Sequence, residues 1–366
     1  MKLKHSVLSI LLSGLAFVSC KNDLKVLAPY KESVSVYGFL NANDTIQQIR
    51  INKVFLGEGD ATVMAQNSDS INFPAGALTV TLERYKNGQK LAASATTSAT
   101  SIVLTETVVA TAPGPFSTTQ RLYITKEKLF NSGDYKMTIK INSSGKEFTS
   151  TATILDSVKA TSTKPLTLSP VHPFPVGTTP QSAYIDYSNT TVKQKIKFYS
   201  IPNARLYNVV MRFHYRDTLL DGSVNSKYAD YTFPTVKSDG LAGNENLEVD
   251  FDASDFYANL ANMINAAPPV NNLRNRAADY LEYIVYAGSQ DLSDFLQVNA
   301  PSTTIAQDKP YYTNISNGGV GIFATRSRFS IGKDLANIFI DQLALNHYTC
   351  PLKFCNSSGS TNTACQ

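Results

Sequence analysis

The chain predicts a mainly β protein made of two consecutive sandwiches, the second carrying short helical insertions. Three observations lead there. Apolar and polar residues alternate with period two along most of the chain, the pattern of half-buried strands. Asn, Asp and Gly steps separate those runs at hairpin spacing. One proline-dense segment divides the chain in two.

From Val34 onward the elements come in order. "SVSVYGFLNANDTIQQIRI" alternates in two runs about an Asn/Asp turn, which is a hairpin signature. In "ALTVTLERYKNGQKL", Leu78, Val80 and Leu82 share one face, and Asn87-Gly88 tolerates the positive φ of a tight turn. The Ala/Ser/Thr-rich stretch 92–101 reads as an exposed loop. "LYITKEKLFNSGDYKMTIKINSSGKEFTSTATI" predicts a strand, a short helical turn ending at Gly133, and two returning strands. Tyr135, Met137, Ile139 and Ile141 face inward on the first of these, and Phe148, Ala152 and Ile154 on the second. The Gly133-Asp134-Tyr135 step resembles the corner tyrosine of immunoglobulin-like sandwiches, so 31–155 reads as one Ig-like β-sandwich.

Prolines at 165, 170, 173, 175 and 180 exclude a helix interior or central strand and mark 156–180 as a linker. His172 falls inside it. Residues 181–345 form the second unit, a fibronectin-III-like β-sandwich with helical insertions. Tyr207, Val209, Met211, Phe213 and Tyr215 share one strand face, and Arg212, His214 and Arg216 the other. Lys193, Lys195 and Lys197 alternate in the same way, giving two basic strand faces that could meet an anionic surface. Phe256, Leu260, Met263 and Ile264 form a helical stripe, started by Asp252 or Ser254 and stopped by Pro268-Pro269. "DYLEYIVYAGSQ" returns to a strand and "SQDLSDFLQV" to a short helix.

The N-terminus begins "MKLKHSVLSILLSGLAFVSC". Lys2 and Lys4 precede an apolar run shorter than the ~20 residues a permanent span needs, so 1–19 reads as a cleaved signal. A cysteine at the cleavage point resembles a bacterial lipobox. Cys20 is then the lipidated first residue, tethered through 20–30, with enough acyl chains for stable anchoring. Formal charge is +4, including two signal lysines, which argues against nucleic acid as a partner. There is no Trp, and 19 Tyr are left to serve as stacking platforms. The remaining cysteines, Cys350, Cys355 and Cys365, sit in the tail 346–366 and predict one disulfide plus a free thiol. His347 with these three could in principle ligate zinc, a reading that an oxidising compartment disfavours.

No common catalytic constellation is legible, and no cofactor is implied. Ser143 and Lys146 have serine–lysine spacing but fall on a hairpin turn. Asp250, Asp252 and Asp255 in "DFDASD" hint weakly at calcium but lack the glycine and distal glutamate of an EF-hand loop. "NISNGGVGIFATRSRF" crowds Gly318, Gly319 and Gly321 together. The residues after Gly319 alternate like a strand, whereas a phosphate cradle needs a helix N-terminus there, so the glycines predict a turn or bulge.

Both ends carry a resemblance. "CKNDLKVLAPYKESVSVYGFLNANDTIQQIRINKVFLGEGDA" and "DKPYYTNISNGGVGIFATRS" resemble a group of Bacteroidota lipoproteins, the family catalogued as domain of unknown function 4249. The resemblance implies an outer-membrane lipoprotein, encoded beside TonB-dependent transporters and facing the cell exterior. It also implies O-glycosylation acceptors of the form Asp-Ser/Thr-apolar, matched at Thr45, Ser70, Ser157 and Thr218. The expected function is non-enzymatic: a binding or accessory protein for a TonB-dependent β-barrel. The alternative is a structural or adhesive surface protein.

Overall fold

The computed structural model describes residues 31–54, 61–110, 112, 114, 119–156, 167–169, 172–173, 184–300 and 311–361. The fold is mainly β, with a few short helices. In chain order the first half supplies β1 (Val34–Leu40), β2 (Gln47–Lys53), α1 (Ala61–Gln66), α2 (Ser68–Ile71), β3 (Leu78–Lys86) and β4 (Gln89–Leu91). It continues with β5 (Ser101–Val103), β6 (Thr105–Ala110), β7 (Thr119–Thr125), β8 (Asp134–Ile141) and β9 (Glu147–Thr153). Two short strands come next, β10 (Thr167–Ser169) and β11 (His172–Pro173). The second half supplies β12 (Lys193–Tyr199), β13 (Ala204–Leu219), β14 (Val224–Thr232), β15 (Val236–Lys237), β16 (Asn246–Asp252) and α3 (Ala253–Ala266). It ends with β17 (Leu273–Ser289), α4 (Gln290–Asn299), β18 (Val320–Asp334) and α5 (Asn337–Leu345).

A nine-stranded sheet runs through the whole molecule in the order β14-β13-β17-β18-β1-β2-β7-β6, with β15 on β13. A five-stranded sheet, β4-β3-β8-β9 with β5 on β3, packs against one half of it. There Val36, Ile49 and Tyr123 meet Leu82, Met137 and Phe148 in one core. A four-stranded sheet, β11-β10-β12-β16, packs with α3 and α5 against the other half. Here Phe213 and Tyr283 meet Phe251, Phe256 and Phe339. Both smaller sheets lie on the same face of the long one. β18 pairs without register shifts, and its odd-numbered side chains serve both cores, Phe323 in the first and Phe329 and Ile331 against the second.

β1 and β18 pair in parallel, Val36 opposite Gly321 and Gly38 opposite Phe323. A parallel pair needs a long crossover, and here almost the whole chain is that crossover. The lobe expected from 31–155 therefore takes Ile315 and Phe323 into its core from beyond residue 181.

Asn87 and Gly88 both have positive φ, 52° and 76°, as a two-residue hairpin turn of this kind requires. The Tyr135 hydroxyl donates to the Ala93 carbonyl at 2.6 Å and accepts from the Phe130 N–H at 3.0 Å. The predicted helical turn before Gly133 is absent. Leu129 instead bridges Ser94, and Arg84 Nε donates to the Ser132 carbonyl at 2.8 Å, holding the segment extended. Within 92–101, Ala93 and Ser94 are buried, and the Ser94 hydroxyl accepts from the Thr96 and Thr97 N–H groups. In α3, Phe256, Leu260 and Ile264 are buried and Asp252 sits at the N-cap without a side-chain capping bond.

Candidate interaction surface

The glycine-rich segment ahead of β18 is a clasp between the two halves. Asn314 Nδ2 donates to the Phe323 carbonyl at 2.7 Å, and the Phe323 N–H donates back to Asn314 Oδ1 at 2.9 Å. Ser316 N–H donates to the Thr149 carbonyl and Thr149 N–H to Ser316 Oγ, stitching the loop to β9. Ser33 Oγ donates to the Gly318 carbonyl at 2.6 Å. Gly318 and Gly321 have positive φ, and a Cβ on Gly321 would lie 2.0 Å from the Val36 carbonyl oxygen. Positive φ at Gly318 and close backbone approach at Gly321 account for these two glycines.

The opposite face of the nine-stranded sheet is the larger candidate. α4 covers it near β1, lying so close that a Cβ on Gly288 would sit 2.8 Å from Leu292 Cδ2. The Tyr37 ring of β1 meets Phe295 of this helix edge-on at 6.2 Å. Farther along, Arg and Tyr side chains of β13, β14, β17 and β18 stand open to solvent in whole or in part. Arg212 makes a two-pronged pair with Asp230, at 2.7 and 2.8 Å, and lies 4.0 Å over the Tyr228 ring. That pairing holds the guanidinium in its charged form even more firmly than usual.

A β-bulge shapes the centre of this face. Phe213 pairs with Leu281 and Tyr215 with Ala278, which leaves Asp279 and Tyr280 together opposite His214. The extra residue re-aims Tyr280, and its ring stacks on the His214 imidazole at 4.1 Å. His214 Nε2 is 3.2 Å from Glu282 Oε2, and Arg328 donates to Glu282 Oε1 at 3.1 Å. Burial alone would push the Glu282 carboxyl up. Bonds from His214 and Ser330 and the Arg328 charge outweigh it and hold the group below its ordinary value.

The basic strand faces read from sequence are neutralised across the strands. Lys193 meets Asp250 at 2.9 Å, and Lys195 and Lys197 meet Glu248 at 2.5 and 3.6 Å. Asp250, a calcium candidate, is thereby committed to a lysine. Asp252 and Asp255 are exposed at the N-cap and in the first turn of α3, and no metal-holding cluster of three or more His, Cys, Asp or Glu occurs among the described residues. Cys350 is disulfide-bonded. Cys355 is a free, buried thiol whose pKa burial raises. Cys20, Cys365 and Ser157 lie outside the described residues. Thr45 is exposed in the β1–β2 turn, and Ser70 is half-buried in α2. Thr218 is half-buried and comes directly after Asp217, which is fully buried and bonded to Arg276 at 2.9 Å. An enzyme reading the Asp-Thr pair in the folded chain would not reach that aspartate.

Alternation alone puts His214 on one strand face with Arg212 and Arg216 and does not reveal Tyr280, Glu282 and Arg328 as its neighbours. The alternation Tyr280, Glu282, Tyr286 in "DYLEYIVY" was the available signal. Among the described residues no helix is long and apolar enough to cross a membrane. No protein-family model matches the chain, and no curated protein matches it either.

Proposed function

We propose that this chain is a lipid-anchored, non-enzymatic binding protein of the outer membrane that accompanies a TonB-dependent transporter and assists capture or uptake of its cargo. The leader 1–19 ahead of Cys20 and the resemblance of both chain ends to the 4249 family support the location and the company. The Tyr135 bonds support an Ig-like identity for the first sandwich. The observation that carries a binding role is the open sheet face around His214. Tyrosine and arginine are enriched where proteins meet, and here they are held in place by stacking and paired charges on the sheet.

Purification of the tagged chain from native outer membranes tests the reading. A β-barrel should co-purify in stoichiometric amount, and Arg328→Glu, on the open face, should reduce its recovery. Recovery of the chain alone would overturn the transporter reading. Cys20→Ser should release the protein into the soluble fraction, and persistence in the membrane would remove the anchor.

A further inference from the structure

We propose that β14 is a self-pairing edge, through which two copies of this chain join their nine-stranded sheets into one. The inference differs from the transporter reading in that it uses the backbone edge of β14, at the border of the His214 face, and needs no second protein. β14 pairs with β13 through nine successive residue pairs, from Val210–Thr232 to Thr218–Val224, with no bulge. On its other side it has no strand neighbour among the described residues. Natural edge strands are blunted by proline, bulges, a covering element or charge. "VNSKYADYT" contains no proline, and its only charges are Lys227 and Asp230; α3 packs against its C-terminal half at Ala229 and Tyr231, while residues 224–228 are exposed. Val224 and Tyr228, on one face, are 55% and 57% exposed, and Leu220 at the hairpin tip is 68% exposed.

The two charges select a register. A two-fold axis normal to the sheet keeps the outer faces of both copies on the same side, so opposed residues share a face. An axis at Lys227 opposes lysine to lysine, and one at Asp230 opposes aspartate to aspartate, both unfavourable. An axis at Ala229 opposes Tyr228 to Asp230, whose carboxylate Arg212 already occupies. An axis at Tyr228 opposes ring to ring, Ser226 to Asp230, Val224 to Thr232 and Lys227 to Ala229. Each charge then faces a neutral partner, as it also would about Ser226 or Tyr231, but only the axis at Tyr228 pairs all nine residues of the strand. Arg212, 4.0 Å over each Tyr228 ring, backs the aromatic pair on both sides.

Directly opposed Cα atoms in an antiparallel pair lie within disulfide reach. The full chain carrying Tyr228→Cys should therefore form a covalent dimer under mild oxidation. Lys227→Cys, which faces Ala229, should not, and the unsubstituted chain controls for Cys355. The unsubstituted chain should sediment as a concentration-dependent dimer. Tyr228→Lys should weaken it by about tenfold or more with an unchanged circular dichroism spectrum. Equal cross-linking at positions 227 and 228 would overturn the proposal. So would a strictly monomeric unsubstituted chain, or a Tyr228→Cys chain that cross-links to another protein.

Discussion

At the scale of single residues, two positions carry constraints that their side-chain chemistry alone does not announce. Gly321 sits at φ 103° with the Val36 backbone where a Cβ would go. Gly321→Ala must shift β18 away from β1, and we expect a loss of about 3 kcal/mol or more. It would be read as a lower denaturant midpoint at unchanged slope; an unaltered midpoint would refute the close approach. Arg276 is the second. Its Nε donates to Asp217, its Nη1 to the Leu352 carbonyl, and its backbone pairs with Lys353 and Cys355. Arg276→Met would strand a fully buried carboxylate whose Oδ2 already has no partner. We expect about 3–5 kcal/mol of destabilisation, with limited proteolysis cutting the tail at 350–361 faster than in the unsubstituted chain.

At the scale of elements, strand faces were legible and strand neighbours were not. Leu78, Val80 and Leu82, or Tyr207 through Tyr215, reveal their buried face because side-chain direction alternates with period two whatever lies beside the strand. The Asn87-Gly88 turn was legible for the same local reason. The bulge opposite His214 was not, because it depends on how β13 and β17 register against each other. Its charges make a pH prediction. Glu282 is held below its ordinary value of 4.5. Its contribution to stability is therefore full above that value and is lost as pH falls through the lower, folded one. Thermal unfolding across this acid range should show the unsubstituted chain losing stability more steeply than Glu282→Gln. Parallel profiles would mean that the His214–Glu282–Arg328 cluster contributes nothing.

At the scale of the whole molecule, β18 makes two lobes into one body. Its N-terminal half pairs with β1 and its C-terminal half with β17, while Phe323 fills the first core. A chain ending at Asp156 keeps every strand expected of the first sandwich yet lacks Ile315, Phe323 and β18, the parallel partner of β1. It should show no cooperative thermal transition, whereas the full chain should unfold in one. Cooperative melting of the shortened chain would show that the clasp is dispensable. The sequence by itself determined the mainly β class, the buried strand faces, the helix stripe of α3 and the turn character of the glycine run. Each of these depends on residues a few positions apart. Only the tertiary structure decided that the lobes share one sheet, that the basic faces are neutralised, and that the glycine run is a clasp. Those outcomes depend on pairs such as Ser33 and Gly318, 285 residues apart, whose meeting no local periodicity encodes.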